Sequence, residues 1–107
     1  MPKTVVVRYR TKADRGDENQ RLVEKVFADL AEHQPDGLRY ASFRLNDGVS
    51  FVHVAEVDTA DGSSPLNDSA AFAAFQREIG DRCDEQPVVE EATVVGSYRL
   101  MGKSGAA

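Results

Sequence analysis

One histidine lies in the middle of the most apolar stretch of the chain. His53 is flanked by Val52 and Val54 in the run GVSFVHVAEVD, which spans Gly48 to Asp58. Burial can displace the pKa of such an imidazole, and the ring could hydrogen-bond a phenolic ligand or accept its proton. The alternative is a core or dimer-interface histidine that is bonded to a neighbouring side chain. The position of His53 therefore predicts either a chemical or a packing role.

Three polar side chains alternate along the preceding segment, LRYASFRL. Tyr40, Ser42 and Arg44 share one face of a strand, and in an antiparallel hairpin that face adjoins Phe51 and His53. A tyrosine, an arginine and a histidine that line one cavity would suit an aromatic or enolate substrate. We therefore predict His53, Tyr40 and Arg44 as candidate catalytic residues. Exposed polar residues on an edge strand are the alternative for Tyr40, Ser42 and Arg44.

The elements that must position these side chains follow from hydrophobic periodicity. Period-two patterns and β-branched residues predict strands, and a 3.6-residue period predicts helices. A polar loop is expected at Thr59 to Asp68, and Ser69 or Asp68 can cap the second helix, whose apolar face carries Phe72, Phe75, Ile79 and Cys83. The predicted elements in chain order are a strand at Lys3–Thr11, a helix at Glu18–His33, a strand at Leu38–Leu45, an Asp-Gly tight turn, a strand at Gly48–Asp58, the second helix from Ser69, and a strand at Val88–Leu100 with a bend at Gly96.

The order β-α-β-β-α-β is that of an α+β, ferredoxin-like fold with a four-stranded antiparallel sheet. The first and third strands occupy the middle of such a sheet, and they are the two whose apolar residues fall on both faces. Two helices can cover only one face of the sheet, so the other face needs a second layer. We therefore predict a homodimer that packs through the open sheet face and forms a dimeric α/β barrel.

Composition limits the other classes of function. The chain has 107 residues and a formal charge of −5, with basic residues that do not cluster into a stripe. It is expected to form one domain over residues 1–107, with a core at 3–100 and a flexible tail at 101–107. We expect no nucleic-acid partner, no membrane association and a cytoplasmic location. The lone Cys83 excludes an intrachain disulfide, and we expect no metal site and no nucleotide cofactor.

Much of the chain resembles a known family. The segments TVVVRYR, LRYASFRL, NDGVSFVHVAEVD and SAAFAAFQREI, with the first helix between them, look like the antibiotic biosynthesis monooxygenase-type (ABM) domain of the dimeric α/β-barrel superfamily. The resemblance covers roughly residues 3 to 100 and rests on element order and apolar positions. It implies a pocket inside each protomer, between the sheet and the helices. Family members include cofactor-free oxygenases of polyketide quinols, haem-degrading enzymes and proteins without known activity.

The resemblance also places individual positions. An asparagine on the third strand of oxygenase-type members corresponds to His53, and an aromatic position four residues later corresponds to Val57. Haem-degrading members hold iron with a histidine on the second helix, and none lies between Ser69 and Cys83, so no haem is expected. We expect no other cofactor either. The candidate substrate-binding residues, expected to line the pocket, are Ser42, Phe51, Val57 and Tyr98. Tyr98 could instead simply fill the sheet.

Two classes of function remain open. The first is a cofactor-independent monooxygenase that acts on an aromatic or polyketide-like small molecule, with His53, Tyr40 and Arg44 orienting or deprotonating it. The second is a non-catalytic dimeric barrel that binds a small ligand or serves only for assembly. An open cavity lined by the three candidate residues would favour the enzyme, whereas an interior filled by Phe51, Tyr40 and Tyr98 would favour the second class.

Overall fold

The computed structural model of the protein describes residues 2–100, which form one sheet covered by helices on one face. The strand order is β2-β3-β1-β4, and every neighbouring pair is antiparallel. This confirms the predicted ferredoxin-like fold with the first and third strands in the centre. The elements in chain order are β1 (Lys3–Thr11), α1 (Gly16–His33), β2 (Leu38–Arg44), β3 (Ser50–Val57), a 3-10 turn (Pro65–Asp68), α2 (Ala70–Arg77), α3 (Ile79–Arg82) and β4 (Cys83–Ala92).

The core lies between the helices and one face of the sheet. Tyr9 of β1 and Phe51 of β3 point to this face and are buried there. Within each strand, side chains at alternate positions share one face of the sheet. Val23 and Val26 of α1 and Phe75 of α2 cover Tyr9 and Phe51. In the described part of the chain, no helix is long and apolar enough to cross a membrane. The tail predicted at 101–107 lies outside the described residues.

Helix α1 begins at Gly16, two residues before the predicted start, because its first turn is pressed against the β2–β3 loop. A Cβ atom at position 16 would lie 2.4 Å from the carbonyl oxygen of Gly48. Only glycine permits so close an approach of two backbones. The helix ends at His33, as predicted, because Gln34 adopts a left-handed conformation (φ 46°) and Pro35 follows.

The β2–β3 connection is longer than the tight turn predicted from the Asp-Gly pair. Strand β2 ends at Arg44 and β3 begins at Ser50, so five residues connect them. The carboxylate of Asp47 accepts hydrogen bonds from the backbone of Val49 (3.0 Å) and Ser50 (2.8 Å) and from the Ser50 hydroxyl. These bonds lower the pKa of Asp47 and fix the loop without a two-residue turn.

The second helix is broken, whereas one helix was predicted. Helix α2 ends at Arg77, Glu78 leaves the helical conformation (φ −128°, ψ 28°), and the short α3 follows. The predicted apolar face is retained, since Phe75 and Cys83 are buried and Phe72 and Ile79 pack against the core. Cys83 itself belongs to β4, because it pairs with Thr11 of β1.

The fourth strand was placed too late in the sequence. It runs from Cys83 to Ala92, and the segment 93–100 is not a strand. Strand β4 pairs only with β1, with a register shift between Arg8 and Arg10. An edge strand of this kind tolerates Pro87 and the charged residues around it.

The polar loop predicted from Thr59 to Asp68 is present, and it is partly structured. The Ser64 hydroxyl accepts a hydrogen bond from the Leu66 amide (3.2 Å) and so caps the 3-10 turn. Leu66 is buried in the core. The loop therefore contributes a core side chain and covers the helix side of the sheet beside α2.

Candidate functional site

A cavity of about 440 Å³ lies between the helix-covered face of the sheet, helix α2 and the loop before α2. Its walls are mostly apolar side chains of β1, β3 and α2, among them Val7, Val57 and Phe72. Polar groups reach it at the middle of the sheet, where Tyr9, Tyr40 and His53 are found. An apolar pocket with a few converging polar groups is typical of a small-molecule site.

His53 lies at the centre of these polar side chains. Both of its ring nitrogens form hydrogen bonds with hydroxyl groups of the protein. The ring is only 3% exposed. Its Nε2 atom lies 2.7 Å from the Tyr9 hydroxyl, and its Nδ1 atom lies 2.7 Å from Ser42 Oγ and 2.9 Å from the Tyr40 hydroxyl. Burial lowers the pKa of His53 from 6.5 to about 4, so the imidazole is neutral at physiological pH.

The strand register explains why these side chains meet. Ser42 lies directly opposite His53 across the β2–β3 pair, and Tyr40 lies diagonally, opposite Ala55. Burial raises the pKa of Tyr40 to about 12, and a hydrogen bond from Ser42 opposes this rise. Tyr40 is therefore a protonated hydroxyl at the cavity wall. Its ring stacks on Phe27 of α1, with the ring centroids 5.1 Å apart.

The polar group continues behind His53 into the core. The side-chain amide of Asn19 donates to the Tyr9 hydroxyl at 2.8 Å, and Arg82 Nε donates to Asn19 Oδ1 at 3.1 Å. A second guanidinium nitrogen of Arg82 donates to the carbonyl of Phe75 at 2.7 Å. Burial raises the pKa of Tyr9, so this phenol is also protonated. We call Arg82, Asn19, Tyr9, His53, Ser42 and Tyr40 the polar chain.

Sequence reasoning missed two members of the polar chain. Arg82 was not considered as a site residue, yet it is 1% exposed. Asn19 was not considered, although a signal was present, because Asn19 precedes Leu22, Val23 and Val26 at helical spacing and so falls on the buried face of α1. An asparagine on such a face requires a polar partner.

Arg44 does not join the other two candidate catalytic residues. Its guanidinium donates to the Gly48 carbonyl (2.9 Å) and to Gln20 (2.7 Å) and pairs with Asp17 (3.0 Å). It lies over the ring of Phe51 and does not line the main cavity. In the structure Arg44 ties the β2–β3 hairpin to the start of α1.

The four predicted substrate-binding residues occupy different places. Val57 lines the cavity. Ser42 does not line it, but forms a hydrogen bond with His53, which lines the cavity together with Tyr40. Phe51 is buried beneath Tyr9, with ring centroids 5.5 Å apart, and does not line the cavity. Tyr98 is 80% exposed on the segment after β4, because the fourth strand ends before it.

One group of potential metal ligands occurs elsewhere in residues 2–100. Ligand atoms of Asp29, Glu32 and His33 lie within 4.8 Å of one another at the end of α1. Glu32 and His33 are exposed, and Asp29 is already bonded to Ser69 (2.6 Å) and His33 (2.9 Å). The i, i+3, i+4 spacing could have revealed this group, which sequence reasoning did not identify.

Solved structures share the fold of this chain at low sequence identity. Rv0793 from Mycobacterium tuberculosis has a TM-score of 0.72 at 15% identity, covering 91% of this chain and 98% of its own. An antibiotic biosynthesis monooxygenase has a TM-score of 0.68 at 17% identity, covering 90% and 100%. SnoaB from Streptomyces nogalater, a cofactor-independent oxygenase, has a TM-score of 0.65 at 16% identity, covering 90% and 95%.

The chain has the ABM-type fold. The match spans nearly the whole length of each protein, so it confirms the architecture to which the sequence resemblance pointed. Identities below 20% establish the fold alone, because one fold hosts many reactions. No family model matches the sequence, and no curated protein matches it either.

Proposed function

We propose that the protein is a cofactor-independent monooxygenase that acts on an aromatic or polyketide-like small molecule. The observation that carries this proposal is the apolar cavity of about 440 Å³ with the His53–Tyr40 pair in its wall. A flat hydroxylated aromatic molecule matches such a cavity, because apolar walls bury its rings while a polar group holds one oxygen. The ABM-type fold of SnoaB supports the proposal by analogy.

The reaction needs no group beyond the substrate and dioxygen. In a hydroxylated anthrone, transfer of a proton from the ring methylene to water gives an enolate that can reduce O2. The methylene loses two hydrogens and gains one oxygen atom as a carbonyl, and the second oxygen atom leaves as water. Four electrons pass from the carbon to O2, so atoms and charges balance.

The polar groups of the cavity would stabilise the enolate oxygen. The Tyr40 hydroxyl lies at the wall, and His53 orients it through Nδ1. A positioned donor aimed at developing negative charge is commonly worth 10²-fold or more in rate, as an order of magnitude. His53 acts as an orienting group because both its nitrogens are engaged and its pKa lies near 4. Arg44 is not included, since it lies outside the cavity.

Oxygen uptake with hydroxylated anthrones and naphthoquinols tests the proposal. We expect one product oxygen atom to come from labelled O2, as read by mass spectrometry, and Tyr40→Phe to lower kcat roughly 10²-fold. Tyr98→Phe removes a hydroxyl that lies outside the cavity, and it serves as the matched control. An equal loss in both variants, or no uptake with any compound, would contradict the proposal.

Ligand binding without turnover is the second candidate function. The full engagement of His53 by Tyr9, Ser42 and Tyr40 favours it, because no nitrogen of the ring is left free as a base. In that case calorimetry would detect binding of the same aromatic compounds in wild-type protein, while oxygen uptake would stay at the uncatalysed rate.

We also propose a homodimer that packs through the open face of the sheet, which is the face opposite the helices. Strand alternation and register bring Val6, Val52 and Val54 together on this face, with Phe43 and Val88 beside them. Phe43 is 45% exposed and Val88 is 44% exposed. The register also places Arg8 and Glu90 on this face, among the apolar side chains. Those apolar side chains favour a second layer over exposure to water.

A further inference from the structure

The polar chain starts at a group that can only donate hydrogen bonds. Arg82 is a guanidinium, which has no acceptor atom, so the Asn19 atom that faces it must be the carbonyl oxygen Oδ1. The amide group of Asn19 therefore turns its nitrogen towards Tyr9 and donates to the phenol oxygen. The orientation of Asn19 is thereby fixed by chemistry and is not free to flip.

The next two hydrogen bonds of the polar chain run in the same donor-to-acceptor direction. The Tyr9 oxygen accepts from Asn19, and its own proton has one partner among the described residues, the Nε2 atom of His53. Nε2 is then the acceptor of a neutral imidazole, so the ring proton must be on Nδ1. His53 consequently donates from Nδ1 to the hydroxyls of Ser42 (2.7 Å) and Tyr40 (2.9 Å).

The chain ends at the cavity. The Tyr40 oxygen accepts from the Nδ1–H of His53, so the Tyr40 proton is not needed to satisfy the imidazole. The Tyr40 proton is then available to a ligand in the cavity, which Tyr40 lines. Six side chains are thus aligned in one direction, from Arg82 in the core to a hydroxyl donor at the cavity wall.

The charge on Arg82 adds a second reason for this direction. Among residues 2–100 no carboxylate forms an ion pair with Arg82, although the residue is 1% exposed. Its partners are two neutral oxygens and the face of the Phe75 ring, with the guanidinium carbon 5.3 Å from the ring centroid. A buried positive charge outside any ion pair polarises the hydrogen bonds that begin at it and favours negative charge nearby.

We propose that Arg82, Asn19, Tyr9 and His53 are positioning residues that lock His53 in its Nδ1–H tautomer and make Tyr40 a hydrogen-bond donor to an anionic ligand oxygen. The cavity then selects the ionised form of a phenolic or enolic compound over its neutral form. This inference deepens the proposed function by naming the form of the substrate, and it rests on that function only in placing a ligand oxygen beside Tyr40.

Asn19→Asp tests the direction of the hydrogen bonds in the polar chain, because aspartate has almost the same shape as asparagine. A carboxylate at position 19 only accepts hydrogen bonds, so it would take the Tyr9 proton while pairing with Arg82. Tyr9 would then accept from His53 Nε2–H, and Nδ1 would accept from Ser42 and Tyr40. The hydrogen bonds from Tyr9 to Tyr40 would all reverse their direction, and Tyr40 would no longer donate into the cavity. Asn46→Asp, in the exposed β2–β3 loop, makes the same chemical change outside the chain and is the control.

Nitrogen-15 NMR of the histidine side chains measures the tautomer of His53 without any ligand. In His33→Gln only the signals of His53 remain, so this variant assigns them. We expect the Nδ1–H form in wild-type protein and in Asn46→Asp, and the Nε2–H form in Asn19→Asp. An Nε2–H tautomer in wild-type protein overturns the inference. The wild-type spectrum alone decides this point if Asn19→Asp does not fold.

Binding of 4-nitrophenol, whose anion is coloured, tests whether Tyr40 donates a hydrogen bond into the cavity. We expect absorbance titration to show wild-type protein binding the phenolate about tenfold more tightly than the phenol, as a hydrogen bond to a charged oxygen requires. Asn19→Asp should abolish this preference, and Asn46→Asp should keep it. Equal affinity for both forms, or no binding at all, overturns the inference. The expected tautomer and phenolate preference without oxygen uptake would leave the inference standing and remove only the proposed oxygenase activity.

Discussion

At the scale of single residues, the site is built from neutral groups and one buried charge. Burial holds His53 unprotonated and both core tyrosines protonated, so the hydrogen bonds between them keep one arrangement over a wide pH range. Such a network orders the cavity wall before a ligand arrives, which reduces the cost of organising the site on binding.

His53 should make the protein less stable at mildly acidic pH. Its pKa is about 4 in the folded chain and 6.5 in the unfolded chain, so between these values the unfolded state binds more protons. The free energy of unfolding should therefore fall as pH drops from about 6.5 to about 4, by up to about 3 kcal/mol. Above pH 6.5 both states are neutral at this ring, and the effect is absent.

Urea unfolding of wild-type protein and His53→Gln over this pH range measures the effect. The difference in the free energy of unfolding between the two proteins should shrink as the pH falls, because glutamine has no proton to gain. Contributions of the exposed carboxylates, such as Asp47 and Asp61, cancel in this difference. A difference that does not vary with pH would show that His53 is accessible to protons in the folded state.

At the scale of elements, Ser69 joins the two helices that cover the sheet. Its hydroxyl accepts from the Phe72 amide at 3.0 Å as the N-cap of α2 and donates to the Asp29 carboxylate of α1 at 2.6 Å. Helix α2 has only eight residues, so its cap and its packing decide whether it forms. This single residue therefore positions the wall of the cavity that α2 supplies.

Ser69→Ala should lower the free energy of unfolding by about 1–2 kcal/mol, since it removes the cap and leaves Asp29 without one partner. Thermal and urea unfolding measure the loss. Ser64→Ala is the matched control, because Ser64 caps only the 3-10 turn, through one bond of 3.2 Å. We expect a smaller loss there, and an equal loss would mean that the α1–α2 link contributes nothing.

At the scale of the whole molecule, the open sheet face is the surface through which we propose that the homodimer forms. Phe43 and Val88 lie on the two outer strands of this face and are about half exposed, so charges at these positions leave the protomer core untouched. Phe43→Glu/Val88→Glu should convert the dimer to a monomer, because like charges would oppose burial of the face. Sedimentation velocity at micromolar concentration measures the change.

Ala28→Glu, on the exposed side of α1, is the control and should leave the sedimentation coefficient unchanged. Circular dichroism of the double variant separates dissociation from loss of the fold. A wild-type protein that sediments as a monomer at the same concentration would contradict the proposed dimer.

The element order, the two central strands and the face shared by Tyr40, Ser42 and His53 could be predicted from the sequence, because they depend on local periodicity and on the pairing of neighbouring strands. The last strand could not, since its charged residues are tolerated only because β4 is a sheet edge. The amphipathic face of the second helix was also predictable, but its break at Glu78 was not.

The sequence by itself determined the β-α-β-β-α-β architecture and drew attention to His53. Only the tertiary structure decided which side chains continue the hydrogen bonds behind His53, away from Ser42 and Tyr40. Arg82 is 63 residues from Asn19, and Tyr9 is 44 residues from His53, so no local pattern connects them. No local pattern predicted the position of Arg44 either, which pairs with Asp17 in the folded chain and does not line the cavity. Contacts between distant segments depend on how helices pack on the sheet, and that packing selects partners which no periodicity records.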